Sequence, residues 1–512
     1  MQIVDDRAVL LRLRDPERVT NVIPKSKKMS NDEVLVKWGL DEALVLKNLN
    51  ITIPSPIMNT YKWPGRYTPF DHQKETAGFL TLHKRAFCFN EQGTGKTGSA
   101  IWASDYLMSV GKVKRVLVVC PLSIMDSAWR ADLFKLAMHR TVDIAYSKNA
   151  EKRKDIIASG AEYVIINYDG IAIVEKEIAA GGFDLVIIDE ATHYKNPTTT
   201  RWKVLNRILS KDTWLWLMTG TPAAQSPIDA YGLAKLVNPN NVPKFASSWR
   251  DTVMTKLTQF KWVPKKESTE TVHRVLQPAI RFTKEECLDL PEMVYVDREV
   301  QLTNQQTKYY NKLKKDMIMS AAEHQVTAVN AAVNLNKLLQ ISCGAVYTDD
   351  GKTLEFDISN RYKVLKEVID ESSNKVLVFI PFKHVIDVLE ERLGKDNIST
   401  GIIRGDVAVN KRTDLFNKFQ TTPDPQVLLI QPQAAAHGVT LTAADTVVWW
   451  GPTSSLETYL QANARVHRAG QVNKCTVVHM QGSNVEKHIY TMLSKRIDSH
   501  SRILDLYKEI LD

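Results

Sequence analysis

Cysteine is scarce in this chain, with five in 512 residues, at positions 88, 120, 287, 343 and 475. They are scattered, odd in number and form no CxxC pair. That pattern argues against a disulfide framework and against structural zinc, and it points to a reducing, cytoplasmic setting. Long apolar runs are also missing. The longest stretch without Asp, Glu, Lys or Arg, Pro425–Ala444, includes Gln431, Pro432, Gln433 and several threonines, so it does not read as a membrane span. The N-terminus carries Asp5 and Asp6 and no apolar signal region. No short repeat and no low-complexity tract is evident. Neither sign of charge dominates: 67 Lys and Arg against 58 Asp and Glu leave +9, a bias that permits a nucleic-acid partner without demanding one. What remains is an ordinary globular balance, 44% apolar and 24% charged, in a length suggesting about three domains.

Short apolar runs recur between segments of helical character. In the first half they are Ala86–Phe89, Val116–Cys120, Tyr163–Ile166, Leu185–Ile188 and Trp214–Met218. In the second half they are Val376–Ile380, Gly401–Ile403, Val427–Ile430, Thr446–Trp450 and Cys475–Met480. Such runs read as strands buried on both faces, and their alternation with helices predicts an α/β protein with two parallel sheets. Cys88 and Cys120 fall inside these runs as core residues. The stretch between the two series is richer in Lys, Glu, Gln and Asn, with helices expected near Gln305–Met319 and Asn334–Ile341 and an exposed loop at Lys256–Thr271. The expected organisation is an accessory region at 1–60, a first lobe at 61–240, a helical insertion and linker at 241–360, a second lobe at 361–482 and a C-terminal helix at 483–512.

Three motifs carry chemistry. After the run Ala86–Phe89 comes Asn90-Glu-Gln-Gly-Thr-Gly-Lys-Thr97, followed by a helical stretch. Gly93, Thr94 and Gly95 let backbone N–H groups approach phosphates, and the helix N-terminus adds positive potential. Lys96 is placed to reach the β- and γ-phosphates of ATP, and Thr97 to ligate Mg²⁺. Asn90 stands where the usual pattern has its first glycine. Second, Leu185–Ile188 runs into Asp189 and Glu190, which puts two carboxylates at the C-terminal edge of a buried strand, where open α/β sheets bind ligands. There Asp189 holds Mg²⁺ and Glu190 activates the attacking water; a strand end followed by a helix cap is the bland alternative. Third, Arg465 and Arg468 are three apart and share a face if helical, which suits arginines that stabilise a transferring phosphoryl group.

In order, these motifs resemble those of the Swi/Snf-type DNA translocases among the superfamily-two helicases. Val118–Ser123 with Trp129 resembles motif Ia, Asp189–Asn196 motif II, Leu217–Pro222 motif III, Lys375–Ile380 motif IV, Gly438–Asp445 motif V, and Gln461–Gln471 motif VI. Gln73 stands where that family has its adenine-reading glutamine. The likeness covers about Tyr67 to Lys495. It departs at Thr192, where the family has His, and at Trp449-Trp450-Gly451-Pro452, whose tryptophans read as core side chains in preference to base-stacking ones.

The resemblance implies two tandem RecA-like lobes with a helical insertion, ATP and Mg²⁺ as cofactors, and double-stranded or branched DNA as the track. It implies DNA-backbone contacts from Pro121, Leu122, Ser123, Lys195, Asn196, Lys383, Gly438 and Thr440, and a catalytic role for Gln461 beside Glu190, Arg465 and Arg468. Replication or recombination proteins are possible partners. The compact form is similar to versions in bacteria and their phages, hence a bacterial or infected-host cytoplasm. Three activities stay open: duplex translocation, strand separation or branch migration, and ATP-gated recruitment to DNA.

Overall fold

Continuous aliphatic runs cannot leave a face to water, so strands made of them need helices on both sides. The computed structural model shows two sheets covered in this way. It describes the chain apart from residues 148, 221–225, 259–261, 288–289, 324–327, 348–352, 436–438 and 496–512, and apart from the side chains of 123, 127, 320–329, 409 and 435. Two compact units result, one of residues 1–222 and 227–287, the other containing residues 288–512.

The first unit begins with an antiparallel sheet of β1 (Gln2–Val4), β2 (Ala8–Arg12), β3 (Lys27–Lys28) and β4 (Glu33–Lys37), in the order β1-β2-β4-β3. Alternation in β2 and β4 puts Val9, Leu11, Val34 and Val36 on one side, where they pack with Val19, Trp38 and Leu46. Residues 1–60 therefore have a small core of their own.

The main sheet of this unit uses β5 (Arg85–Cys88), β6 (Val116–Cys120), β7 (Val142–Ile144), β8 (Tyr163–Asn167), β9 (Leu185–Asp189) and β10 (Trp214–Met218). A two-stranded ribbon follows, β11 (Met254–Lys256) against β12 (Trp262–Pro264), and then β13 (Ala279–Ile280) joins the main sheet. The order is β13-β5-β10-β9-β6-β8-β7, all parallel.

In the second unit β14 (Met293–Glu299) precedes a small hairpin of β15 (Ala345–Tyr347) and β16 (Thr353–Glu355). The remaining strands are β17 (Lys375–Phe379), β18 (Thr400–Ile403), β19 (Val427–Ile430), β20 (Ala444–Trp449) and β21 (Cys475–Gln481). The parallel order is β14-β21-β20-β17-β19-β18.

All ten apolar runs are strands, with ends shifted by a residue or two. Three strands of the main sheets escaped the sequence pattern: β7, β13 and β14. β14 is an edge strand whose residues alternate between exposed and half-buried, so it has no continuous apolar run. The stretch read as insertion and linker thus contributes an edge strand to each sheet, besides the helices Asn304–Glu323 and Ala328–Cys343.

The exposed loop expected at Lys256–Thr271 is a correction. It contains β12 and a helix, Ser268–Val275. The Arg250 guanidinium lies 4.4 Å from the Trp262 ring centre, and Trp262 packs against the first-lobe core, which pins a segment that looks polar in sequence. The C-terminal helix is described over Asn484–Ser494; the rest of 483–512 beyond Lys495 lies outside the described residues.

Trp449 and Trp450 are both fully buried, as expected of core residues. The Trp450 indole donates to the Cys343 carbonyl at 2.8 Å, and Trp449 to Asn463 at 3.0 Å. Beside them is a buried ion pair. Arg361 donates to both Glu486 oxygens at 2.8 and 2.9 Å, and to the Trp450 carbonyl. Glu486 also accepts from the Gly482 N–H at 2.7 Å. Replacing one charge strands the other away from water. Glu486→Gln is expected to cost about 3–5 kcal/mol of stability, read as a lower denaturation midpoint for the second unit. An unchanged midpoint would show that the pair is held without net effect.

Candidate nucleotide site

The site starts from register. Cys88 at the end of β5 pairs with Met218 at the end of β10, and Met218 pairs with Asp189 at the end of β9. Because the strands are parallel, the phosphate loop after β5 and the acids ending β9 emerge at one sheet edge, separated only by β10.

The loop's shape depends on two glycines. Gly93 and Gly95 have φ of 91° and 83°, in the left-handed region that costs glycine no side-chain clash. A Cβ on Gly95 would lie 2.0 Å from Gln73 Nε2, so a larger residue would strain the backbone and displace the Gln73 amide. Gly95 caps the 14-residue helix Lys96–Ser109, whose N-terminus therefore faces the loop. Lys96 is buried and its Nζ donates to the Glu91 carbonyl at 3.3 Å; the Thr94 hydroxyl donates to the same carbonyl at 2.8 Å. Gln73 Nε2 donates to the Thr94 carbonyl at 3.2 Å, while its Oε1 accepts from the Phe70 N–H at 3.0 Å. His72 also meets the Thr94 carbonyl, at 2.8 Å. Thr97 is half-buried on the first turn of the helix. Glycines free of side chains, a helix N-terminus and a buried lysine fit a polyphosphate.

Asn90 does something other than a first glycine would. Its buried amide donates to the Thr76 hydroxyl at 2.8 Å and accepts from the Phe282 N–H at 3.0 Å. It anchors the start of the loop to the helix carrying Gln73 and to the segment after β13.

Asp189 and Glu190 are 6% and 8% exposed, a degree of burial that carboxylates tolerate only with defined partners. Asp189 Oδ1 accepts from the Glu190 N–H at 3.0 Å, and Oδ2 from the Trp129 indole at 2.9 Å. The Tyr168 hydroxyl donates to the Asp189 carbonyl at 2.7 Å, and burial beside the two acids holds that phenol far above its usual pKa. Glu190 itself has a left-handed backbone, φ 50°, strain that a non-glycine residue keeps only where the surroundings impose it. The donor set of Asp189 and the Thr97 hydroxyl suits a hard divalent cation such as Mg²⁺.

Trp129 and Tyr168 are the residues whose roles sequence reasoning missed. Trp129 was legible only as part of a motif, and Tyr168 carried no signal, because both act through contacts distant in sequence. Trp129→Phe is expected to retain the ring's packing but lower Mg²⁺-dependent turnover about tenfold, since a hydrogen bond to a charged group contributes about 1.5–3 kcal/mol. A titration of activity against Mg²⁺ identical to that of the parent protein would count against it.

The second unit assembles its own cluster. Gln461 lies on the helix Leu456–Asn463, buried, with Nε2 donating to Glu457 at 3.1 Å. Arg465 and Arg468 do not extend that helix, contrary to the helical reading. It ends at Asn463, and the Arg465 carbonyl accepts from the Leu441 N–H at 2.9 Å in place of a helical donor. Both guanidinium groups nevertheless converge on the Val439 carbonyl, at 3.5 Å for Arg465 and 3.1 Å for Arg468. Motifs V and VI are thereby joined.

The residues expected to touch DNA are more dispersed. Pro121 is buried, and Leu122 is exposed in the short turn Leu122–Ile124; the Ser123 side chain lies outside the described residues. Lys195 Nζ is 3.1 Å from Asp229, and Asn196 closes a turn by accepting from the Thr198 N–H at 2.9 Å. Lys383 begins the helix Lys383–Lys395, 3.6 Å from Asp406. Thr440 is exposed, and Gly438 lies outside the described residues.

With this geometry established, the comparisons with known proteins decide the family. The SNF2-related domain matches residues 72–345, and the helicase conserved C-terminal domain matches residues 360–470. The chain belongs to the SNF2-related family. An uncharacterized ATP-dependent helicase of Mycoplasma genitalium is 27% identical over 408 residues, covering 77% of this chain and 38% of that protein. A putative protein p41 of Acyrthosiphon pisum secondary endosymbiont phage 1 is 23% identical over 472 residues, covering 87% and 99%. Among solved structures, the Sulfolobus solfataricus SWI2/SNF2 ATPase core in complex with dsDNA is 20% identical, covers 88% of this chain and 97% of that one, and gives a TM-score of 0.43. The chain spans less than half of three of its curated relatives, 38%, 47% and 43% of their lengths. The SNF2-related match runs through the first unit into residues 288–345 of the second, the helicase C-terminal match lies within the second, and the phosphate loop, Asp189, Glu190, Gln461, Arg465 and Arg468 of this SNF2-related chain fall inside the matched ranges. Among the described residues, no helix is long and apolar enough to cross a membrane.

Proposed function

We propose that this SNF2-related chain is a DNA-dependent ATPase that translocates on double-stranded DNA and remodels DNA structures or protein–DNA complexes in replication, recombination or repair. One observation carries the reading: Lys96, Asp189 and Glu190 are gathered at a single edge of a parallel sheet, around a glycine loop shaped for phosphates. ATP is held through Gln73, Gly93, Thr94, Gly95, Lys96 and Thr97, and Mg²⁺ by Thr97 and Asp189. Mg²⁺ supplies charge neutralisation for the phosphates. Glu190 orients and deprotonates water. Arg465 and Arg468 supply guanidinium charge to the transferred phosphoryl group, and Gln461 helps to orient the reacting groups. Translocation then requires that the ATP and ADP states differ in affinity for DNA, because a ligand shifts a conformational equilibrium only by its differential binding.

DNA contact by Pro121, Leu122, Ser123, Lys195, Asn196, Lys383, Gly438 and Thr440 is a backbone contact, independent of base sequence and sensitive to salt. The family membership and the +9 charge support it. The test is ATPase activity across duplex DNA, single-stranded DNA, forked DNA and RNA, alongside triplex displacement and fork unwinding. Strong stimulation by duplex with triplex displacement and little unwinding is the expected outcome. Efficient unwinding of a tailed duplex would instead identify a helicase, and turnover indifferent to DNA would leave an ATP-gated recruitment protein.

A further inference from the structure

Several polar side chains of the phosphate loop are tied to the protein itself. Asn90 meets Thr76 and the Phe282 N–H, Glu91 accepts from the Lys284 N–H at 3.3 Å, and Thr94 donates to the Glu91 carbonyl. Gln92 differs. Its Nε2 is buried and, among the described residues, has no hydrogen-bond partner. A buried amide nitrogen without an acceptor is costly to a fold, so one that is retained calls for a bound ligand, ion or water to take its proton.

The seat of the amide narrows the choice. It faces Gly220, where an added Cβ would meet Gln92 Oε1 at 2.9 Å and Cδ and Nε2 at 3.0 Å. Gly220 is buried and stands just past β10, which ends at Met218. β10 runs between β5 and β9 in the sheet, and the Thr219 N–H donates to the Cys88 carbonyl at 3.0 Å. The amide therefore sits at the exit of the middle strand, with the phosphate loop after β5 on one side and the acids ending β9 on the other. In a loop of this kind backbone N–H groups cradle the α- and β-phosphates. The γ-phosphate extends from them toward the acids, where water attacks, and it is the phosphate that meets a donor placed between the two.

We propose that Gln92 reads the γ-phosphate: its Nε2 donates to a γ-phosphate oxygen of ATP, and Gly220 keeps the amide in place by offering no side chain. This rests on the nucleotide-site reading, and it adds to the loop a side chain that distinguishes ATP from ADP. Glutamine suits the role because it supplies a directed donor without adding charge. ADP lacks the accepting oxygen, so the contact favours ATP alone. A contact made in one nucleotide state and lost in the other is what lets a ligand bias a conformational equilibrium.

The experiment measures equilibrium binding of β,γ-imido-ATP and of ADP, each with Mg²⁺, by displacement of a fluorescent nucleotide from the full chain. Gln92→Met keeps the length of the side chain and removes the donor. It is expected to weaken β,γ-imido-ATP about tenfold or more and to leave ADP as it is, because hydrogen bonds to charged groups are the stronger ones. Gly220→Ala is expected to produce the same selective loss, since its methyl displaces the amide. The two substitutions together should lose no more than either alone, as groups acting through one contact do. Equal weakening of both nucleotides by Gln92→Met would make the side chain a packing element, and no weakening would leave its nitrogen to a water; either result overturns the proposal. A Gly220→Ala variant with the preference of the parent chain would overturn the seat assigned to the amide. A parent chain that does not bind β,γ-imido-ATP, or a Lys96→Ala variant that binds it as the parent does, would instead sink the nucleotide-site reading itself.

Discussion

Arg465→Ala is expected to lower DNA-stimulated ATP turnover by about 10³–10⁵-fold, with nucleotide affinity nearly unchanged. The argument is electrostatic. Charge builds on the phosphoryl oxygens as the bond to the leaving group lengthens, and a fixed guanidinium stabilises that state more than the ground state. Arg465 is 6% exposed and is held within its own unit by its backbone carbonyl on the Leu441 N–H and by its side chain near the Val439 carbonyl. Lysine has a single compact charge and cannot reproduce the planar fork, so Arg465→Lys should recover only a small part of the loss. Because the residue is buried, a structural effect must be separated. Fluorescent-nucleotide binding and the denaturation midpoint should change little while kcat collapses. A variant that keeps its stimulated turnover would return Arg465 to the task of tying motif V to motif VI.

Glu190→Gln is the second large effect. It retains size and hydrogen bonding but removes the carboxylate proposed as the base, and turnover should fall by about 10²–10⁴-fold. The backbone of Glu190 in the left-handed region, and the Asp189 carboxylate accepting its N–H, fix where the side chain leaves the strand. Nucleotide binding should survive, so the variant should still show whatever DNA affinity accompanies the ATP-bound state. Lys96→Ala should instead lose both binding and turnover, because the helix N-terminus alone cannot offset the phosphate charge. If Glu190→Gln hydrolyses ATP at a normal rate, the base is another residue and the site assignment fails. If Lys96→Ala does so, the loop is only a turn.

The two kinds of substitution separate what the site does from what holds it. Trp129 donates to the Asp189 carboxylate and Tyr168 to the Asp189 carbonyl, contacts that fix the orientation of groups whose identity was visible from the motif. Asn90 extends the same logic to the phosphate loop, where a departure from the usual glycine proves to be a cross-link between Thr76 and Phe282.

The chain's own residues determined the ten buried strands, because Val-, Ile- and Leu-rich runs have no stable alternative to a sheet covered on both faces. They also determined the phosphate loop and the acidic pair, because glycines, a lysine and carboxylates at strand ends are local requirements of the chemistry. Edge strands β7, β13 and β14 were decided by the tertiary structure: the first two are only three and two residues long and β14 alternates, so none holds a continuous buried apolar run. The end of the helix before Arg465, the pinning of Trp262, and the partners of Asp189 were decided there too. Each depends on a hydrogen bond or ring contact from a residue far along the chain, and periodicity within a short window holds no information about such a partner.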